Sequence, residues 1–144
     1  MDIWRISNHS DLSGRGGLLA AQRWNHQGDP IVYCCEHPAL SMLEILVNAD
    51  LNLLPTNYQL LRVHVPEHVS RAEAKLADGW RDDAIMTQDY WRAFCAQSSA
   101  CLLKVPSVVM PYAWNWLINP RHADHAHLAV TEQVRYPFDS RFAA

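Results

Sequence analysis

An α+β fold with a largely antiparallel sheet core and a few flanking helices is what this 144-residue sequence predicts. Three observations carry that expectation. Short β-branched and aromatic runs outnumber helical ones, the two kinds of segment are mixed, and no G-x-G-x-x-G or P-loop pattern occurs. A regular strand–helix alternation would instead favour a doubly wound parallel sheet. One hydrophobic core suits this length, so a single domain over residues 1–144 is expected. The composition, 49% hydrophobic and 19% charged, is that of a packed chain.

Taken in order, "DIWRIS" alternates enough for a short first strand. "NHSDLSGRGGLLAAQRWNHQGDP" is rich in turn formers and reads as a long loop with a short extended piece. Its "GRGG" carries little weight as a phosphate cradle, because no convincing helix follows. "PIVYCCE" is a β-branched and aromatic strand. Pro38 suits a first helical position, and Ala39 to Ala49 is free of Gly and Pro, which predicts a helix of about three turns. "YQLLRVHVP" is a strand stopped by Pro66, and residues 67–86 are looser. Thr87 is placed to cap a helix through "QDYWRAFCAQ". "CLLKVPS" and "VVMP" read as strands split by Pro106, "YAWNWLINPRHADH" as an irregular loop, and "HAHLAVTEQVRYPFD" as one or two closing strands.

Charge and cysteine usage exclude several classes. Fifteen acidic against twelve basic residues give a net charge of −3, which argues against a nucleic-acid binder with a broad basic surface. "MDIWRISNHS" lacks a signal peptide's basic-then-apolar pattern, and no apolar run approaches the roughly 18 residues of a membrane span. Cys34, Cys35, Cys95 and Cys101 form no CxxC pair, so reduced thiols in a cytoplasmic protein are expected.

The predicted helix holds one charge, Glu44, within "PALSMLEILVNA". At about 100° per residue, Ser41, Glu44 and Asn48 share an arc of about 60°, and apolar residues occupy the rest. An unpaired buried carboxylate costs several kcal/mol. The stripe therefore faces either solvent or a polar cleft. Upstream, Arg23 and Tyr33 precede Glu44 at intervals of ten and eleven residues. Arg offers a rigid fork for phosphate oxygens, Tyr a flat ring and a hydroxyl, and Glu an anion for a developing positive charge.

The chain resembles the RES domain family of bacterial toxins from type II toxin–antitoxin systems, named for an Arg, a Glu and a Ser. The resemblance runs from "WRIS" through "GRGGLLAAQRWNHQGDPIVYCCEHPALSMLEILV" and "LLKVPSVVMPYAWNWLINPRHAD" to "PFDSRF", in family order and over the full chain. It implies an ADP-ribosyltransferase-like fold that binds NAD as substrate and breaks its nicotinamide–ribosyl bond, by hydrolysis or phosphorolysis. One branch of the family modifies a protein target instead. The family's Arg, Tyr and Glu fall on Arg23, Tyr33 and Glu44, and its Ser on Ser107. In that frame Glu44 stabilises the cation, Arg23 holds pyrophosphate or ribose, Tyr33 stacks on the nicotinamide side, and Ser107 orients the substrate or its nucleophile. Arg5 in "WRIS" is a further candidate contact. The implied partner is a Xre-type antitoxin, in a homodimer or a toxin–antitoxin hetero-oligomer, with no direct nucleic-acid binding by this chain. A non-catalytic binding module on the same fold is the alternative.

Weaker signals complete the expectations. Trp24 adjoins Arg23 and is either a pocket wall or core, whereas Trp114 and Trp116 read as core or loop anchors. Asn115 and Asn119 are turn pins by default, with Asn119 kept as a candidate substrate contact. His122, Asp124, His125 and His127 read as a polar loop, so no metal is expected. Cys34 and Cys35 read as structural, since spacing fixes no partner His for a nucleophile.

Overall fold

The structure is a computed structural model that describes residues 1–135 and 137–143. Its elements run β1 (Asp2–Ser7), α1 (Arg15–Leu19), β2 (Val32–Cys35), α2 (Pro38–Asn48), β3 (Gln59–His64), β4 (Arg71–Glu73), α3 (Ala84–Gln97), β5 (Leu102–Pro106), β6 (Trp114–Ile118) and β7 (Ala129–Arg135). The strands form one sheet in the order β4-β5-β6-β2-β1-β3-β7. Every pairing among the described residues is antiparallel except β4 with β5. The α+β expectation holds, with a mostly antiparallel sheet. No helix among the described residues is long and apolar enough to cross a membrane.

The central strands are buried on both faces, which explains their apolar runs. Leu102 faces Ile118 across β5 and β6, and both enter a core with Ile3, Val32, Val63 and Trp116. One residue along, Leu103 faces Leu117, and both pack on the opposite side with Trp91 and Phe94 of α3 and with Trp24. The indole of Trp91 also donates to the Pro30 carbonyl, tying α3 to the segment entering β2.

β1 and β3 are in register over six residues, from Asp2 opposite His64 to Ser7 opposite Gln59. β1 and β2 meet at a single pair, Trp4 opposite Cys35. Beyond that pair the two strands part, and the sheet opens there. Helix α2, packed on β1 and β2, lies over the opening.

Several local expectations need correction. "GRGG" does lead into a helix, the five-residue α1. Gly14 turns the chain at a φ of 73°, and Leu18 and Leu19 stay exposed, so the turn leaves no apolar period to read. "YAWNWLINP" contains the central strand β6. "VVMP" is a turn, because the Ser107 hydroxyl accepts from the backbone N–H groups of Val109 and Met110. The loose stretch 67–86 hides β4, and α3 is capped by Asp83, whose carboxylate accepts from Met86 N–H. Thr87 lies inside the first turn, buried, bonding back to the Ala84 carbonyl and across to that of Arg23. The closing run forms one strand over Ala129–Arg135; Tyr136 lies outside the described residues.

Candidate active site

A cleft of about 570 Å³ opens where β1 and β2 diverge, within the usual range for small-molecule sites. Arg5 and Ser7 reach it from β1, Arg23 from the loop after α1, Tyr33 and Cys35 from β2, and Asn115 from β6. Ser41, Glu44 and Asn48 reach it from α2. The polar stripe predicted from helical periodicity therefore faces the cleft.

Helix α2 starts sharply because Pro38 sits in its first turn and the His37 ring accepts from Ala39 N–H at 3.1 Å. Three turns on, Asn48 donates to the Glu44 carbonyl. Between them the Glu44 side chain meets two donors at one oxygen. Asn115 Nδ2 lies 3.0 Å and Ser107 Oγ 3.1 Å from Glu44 Oε1. The Ser107 hydroxyl already accepts from Val109 N–H and Met110 N–H, so its hydrogen is directed at the carboxylate. Both bonds require Glu44 as acceptor. Oε2 is left to the cleft.

Ser107 is buried and stands behind Glu44, outside the cleft lining. Its hydroxyl holds the Glu44 carboxylate. Asn115 was read as a turn pin in a loop, yet it is a strand residue bonded to Glu44. Reading "WNWLI" as a strand would have found it, since Asn115 and Leu117 then share the face opposite Trp116 and Ile118.

Tyr33 presents its ring to the cleft while its hydroxyl is occupied. The hydroxyl donates to Asn25 Oδ1 at 2.8 Å and accepts from Trp24 N–H at 3.0 Å. Burial holds the phenol well above its ordinary pKa, so it stays protonated. Asn25, fully buried, uses its amide N–H groups on the carbonyls of Gly17, Ala20 and His26. Tyr33 and Asn25 thereby fix the loop that carries Arg23. Sequence reading missed Asn25, whose signal was its place in "RWN" eight residues before Tyr33.

Arg23 donates through Nη2 to the carbonyls of Trp80 and Arg81, and its guanidinium lies 5.7 Å from the Trp80 ring centre. Arg5 donates to Ser7 Oγ at 3.2 Å. Four buried side-chain polar atoms lack a hydrogen-bond partner among the described residues: Arg5 Nε, Arg23 Nε, Ser41 Oγ and Asn115 Oδ1. All four belong to residues lining this cleft. Each such atom costs about 1–3 kcal/mol, so among the described residues the unsatisfied buried polarity gathers at one place.

Two expected contacts are not in the cleft. Trp24 is core, 3% exposed, packed with Ile31, Trp91 and Leu103 and tilted against Trp80 at 6.1 Å. The turn that aims Arg23 at the cleft sends its neighbour inward. Asn119 is buried at the far end of β6, where its side chain accepts from Arg121 N–H and its own N–H reaches the Cys101 carbonyl. It is the turn pin that the default reading described.

Burial pushes the Cys34 and Cys35 thiols up to about 12, so neither is a thiolate at neutral pH. In "RHADHAH", His122 caps a short 3-10 turn, Asp124 accepts from Ser70, and His125 contacts the Leu12 carbonyl. Those residues staple loops together.

Comparisons with known proteins agree with this architecture. A "Toxin Res" of Pseudomonas putida is 42% identical over 125 residues, spanning 85% of this chain and 86% of that protein. A "Prs ADP-ribosylating toxin" of a Sphingobium species is 32% identical over 153 residues, spanning 96% and 94%. A chain of the M. tuberculosis MbcT–MbcA toxin–antitoxin complex superposes with a TM-score of 0.72 over 93% of this chain and 82% of its own. At 16% identity that last likeness is one of fold. The model of the RES domain matches residues 2–139, and the chain belongs to the RES domain family.

Proposed function

We propose that this protein is the toxin of a toxin–antitoxin pair, and that its cleft binds NAD and cleaves the nicotinamide–ribosyl bond, depleting the cell's NAD. The observation that carries the reading is the concentration of unpartnered polar atoms on residues of the cleft wall that Glu44 shares. Two guanidiniums with unused N–H donors suit a diphosphate. An aromatic ring at Tyr33 suits a flat base.

The chemistry follows from those positions. When the bond between the ribose carbon and the pyridinium nitrogen breaks, both electrons go to nitrogen and nicotinamide leaves neutral. The sugar then carries the positive charge, as in glycoside hydrolysis. The Glu44 carboxylate, held in place by Ser107 and Asn115, stabilises that charge through Oε2. Arg23 and Arg5 hold the pyrophosphate, and Tyr33 backs the nicotinamide. Water then adds to the sugar carbon and releases a proton, or phosphate adds in its place. The second reading is ADP-ribosyl transfer to a protein side chain. It is favoured by the name of the Sphingobium relative, which is similar over nearly the whole chain. The family resemblance supports a cytoplasmic setting and a Xre-type antitoxin partner, in a homodimer or a hetero-oligomer.

Incubation of the purified protein with adenine-labelled NAD, with and without phosphate and with a cell lysate, separates these outcomes. Labelled ADP-ribose indicates water as acceptor, its phosphorylated form indicates phosphate, and label retained on a lysate protein indicates transfer. Intact NAD in all three would leave a binding module and overturn the enzymatic reading.

A further inference from the structure

We infer that Asn115 contacts the substrate and sets its specificity at the nicotinamide-ribosyl end of the cleft, besides positioning Glu44. The inference rests on the proposed NAD reading. Asn115 occupies the middle of the sheet, in register with Cys35 on β2 and Val105 on β5. Asparagine is disfavoured in strand interiors, and the next three residues of β6 are apolar and buried. The residue is half-buried, but its side-chain oxygen is fully buried, and an amide so placed needs partners for both of its ends.

Only one end has a partner. A carboxylate accepts and cannot donate, so the amide must turn its NH₂ toward Glu44, as the 3.0 Å contact requires. Oδ1 then points away from Glu44 with no donor to meet it. A group that satisfies Oδ1 must carry an N–H or O–H and must lie beside the Glu44 carboxylate. NAD carries two kinds of donor at its nicotinamide-ribosyl end: the carboxamide N–H of nicotinamide and the hydroxyls of its ribose. Either one, accepted by Asn115, would register the reacting carbon against Glu44 Oε2.

The test compares three substrates on wild type and Asn115→Ala. They are NAD, its 3-acetylpyridine analogue, which replaces the carboxamide NH₂ by methyl, and its 2′-deoxy analogue on the nicotinamide ribose. Wild type should discriminate against one analogue in kcat/KM, and Asn115→Ala should shrink that one ratio about tenfold while the other ratio stays. The ratio that collapses names the donor. A residue that only holds Glu44 would lower all three rates in proportion. Both ratios unchanged within twofold would therefore overturn the inference while leaving NAD cleavage intact. If wild type cleaves none of the three, the proposed function fails and this inference with it. Asn115→Ser, checked by its thermal melt, makes the same comparison should the alanine variant not fold. Asn115→Asp adds a second readout. Protonated, it can still donate to Glu44, so its activity relative to wild type should rise as pH falls toward 5.

Discussion

Glu44 shows how one residue's surroundings decide its role. Its neighbours on α2 are apolar, yet its own carboxylate is held by Ser107 and Asn115, which lie 63 and 71 residues away in sequence. Glu44→Gln removes the charge and keeps the shape, so kcat should fall about 10²–10³-fold, as for the loss of one preorganised electrostatic group. A melt unchanged within a few degrees would confirm that folding is intact. Arg23 acts differently, because its guanidinium bridges two carbonyls of the Trp80–Asp82 turn while facing the cleft. Arg23→Ala should weaken NAD binding, measured by titration calorimetry, and Arg23→Lys should not restore it, since an ammonium lacks the planar fork. Wild-type affinity in Arg23→Ala would remove that role. At this scale much was legible: Arg23, Tyr33 and Glu44 stood out by type and spacing, and all three line one cleft. Asn25 and Asn115 did not, because an asparagine that braces a site looks the same in sequence as one that pins a loop.

At the scale of elements, what was legible depended on whether one face met water. Helix α2 and strands β1 and β3 show periods because they are amphipathic, and their predicted limits agree with the observed ones to within about two residues. Strand β6 is covered on both faces, so "WNWLI" shows no alternation of polarity, and flanking prolines made it resemble a loop. β4 could not be read at all. Its three residues become a strand only through parallel pairing with β5, some thirty residues later. Helix α1 depends on glycine for close packing. A Cβ at Gly17 would meet the Asp29 carbonyl oxygen at 2.3 Å and Asn25 Nδ2 at 3.2 Å. Gly17→Ala should therefore cost about 1–3 kcal/mol, as overpacking does, and should loosen the loop bearing Arg23. Urea unfolding measures the first effect and NAD affinity the second. An unchanged midpoint would show that the loop yields freely.

Across the whole molecule, ion pairs and hydrogen bonds far apart in sequence tie strand to strand and loop to loop. The Asp2 carboxylate is held below its ordinary pKa by a hydrogen bond from His64 and by Arg62, against a smaller opposing effect of burial. Asp124 is lowered by the Ser70 hydroxyl and backbone N–H, which tie the segment before β7 to the start of β4. A carboxylate with a depressed folded pKa stabilises the fold above its unfolded pKa, and that contribution is lost as pH falls through the folded value. The melting temperature should therefore drop between about pH 5 and pH 2, and Asp124→Asn should lower the neutral-pH melt and flatten that drop. A profile identical to wild type would exclude this staple. The central claim joins all three scales: the opened sheet, the loop and α2 bring the Glu44 carboxylate to NAD. It is tested most directly by following nicotinamide release from NAD by chromatography, with wild type and Glu44→Gln at equal concentration. Catalytic release by wild type and a fall of at least a hundredfold in the variant are expected. No release by wild type, or a variant within threefold of it, would contradict the account.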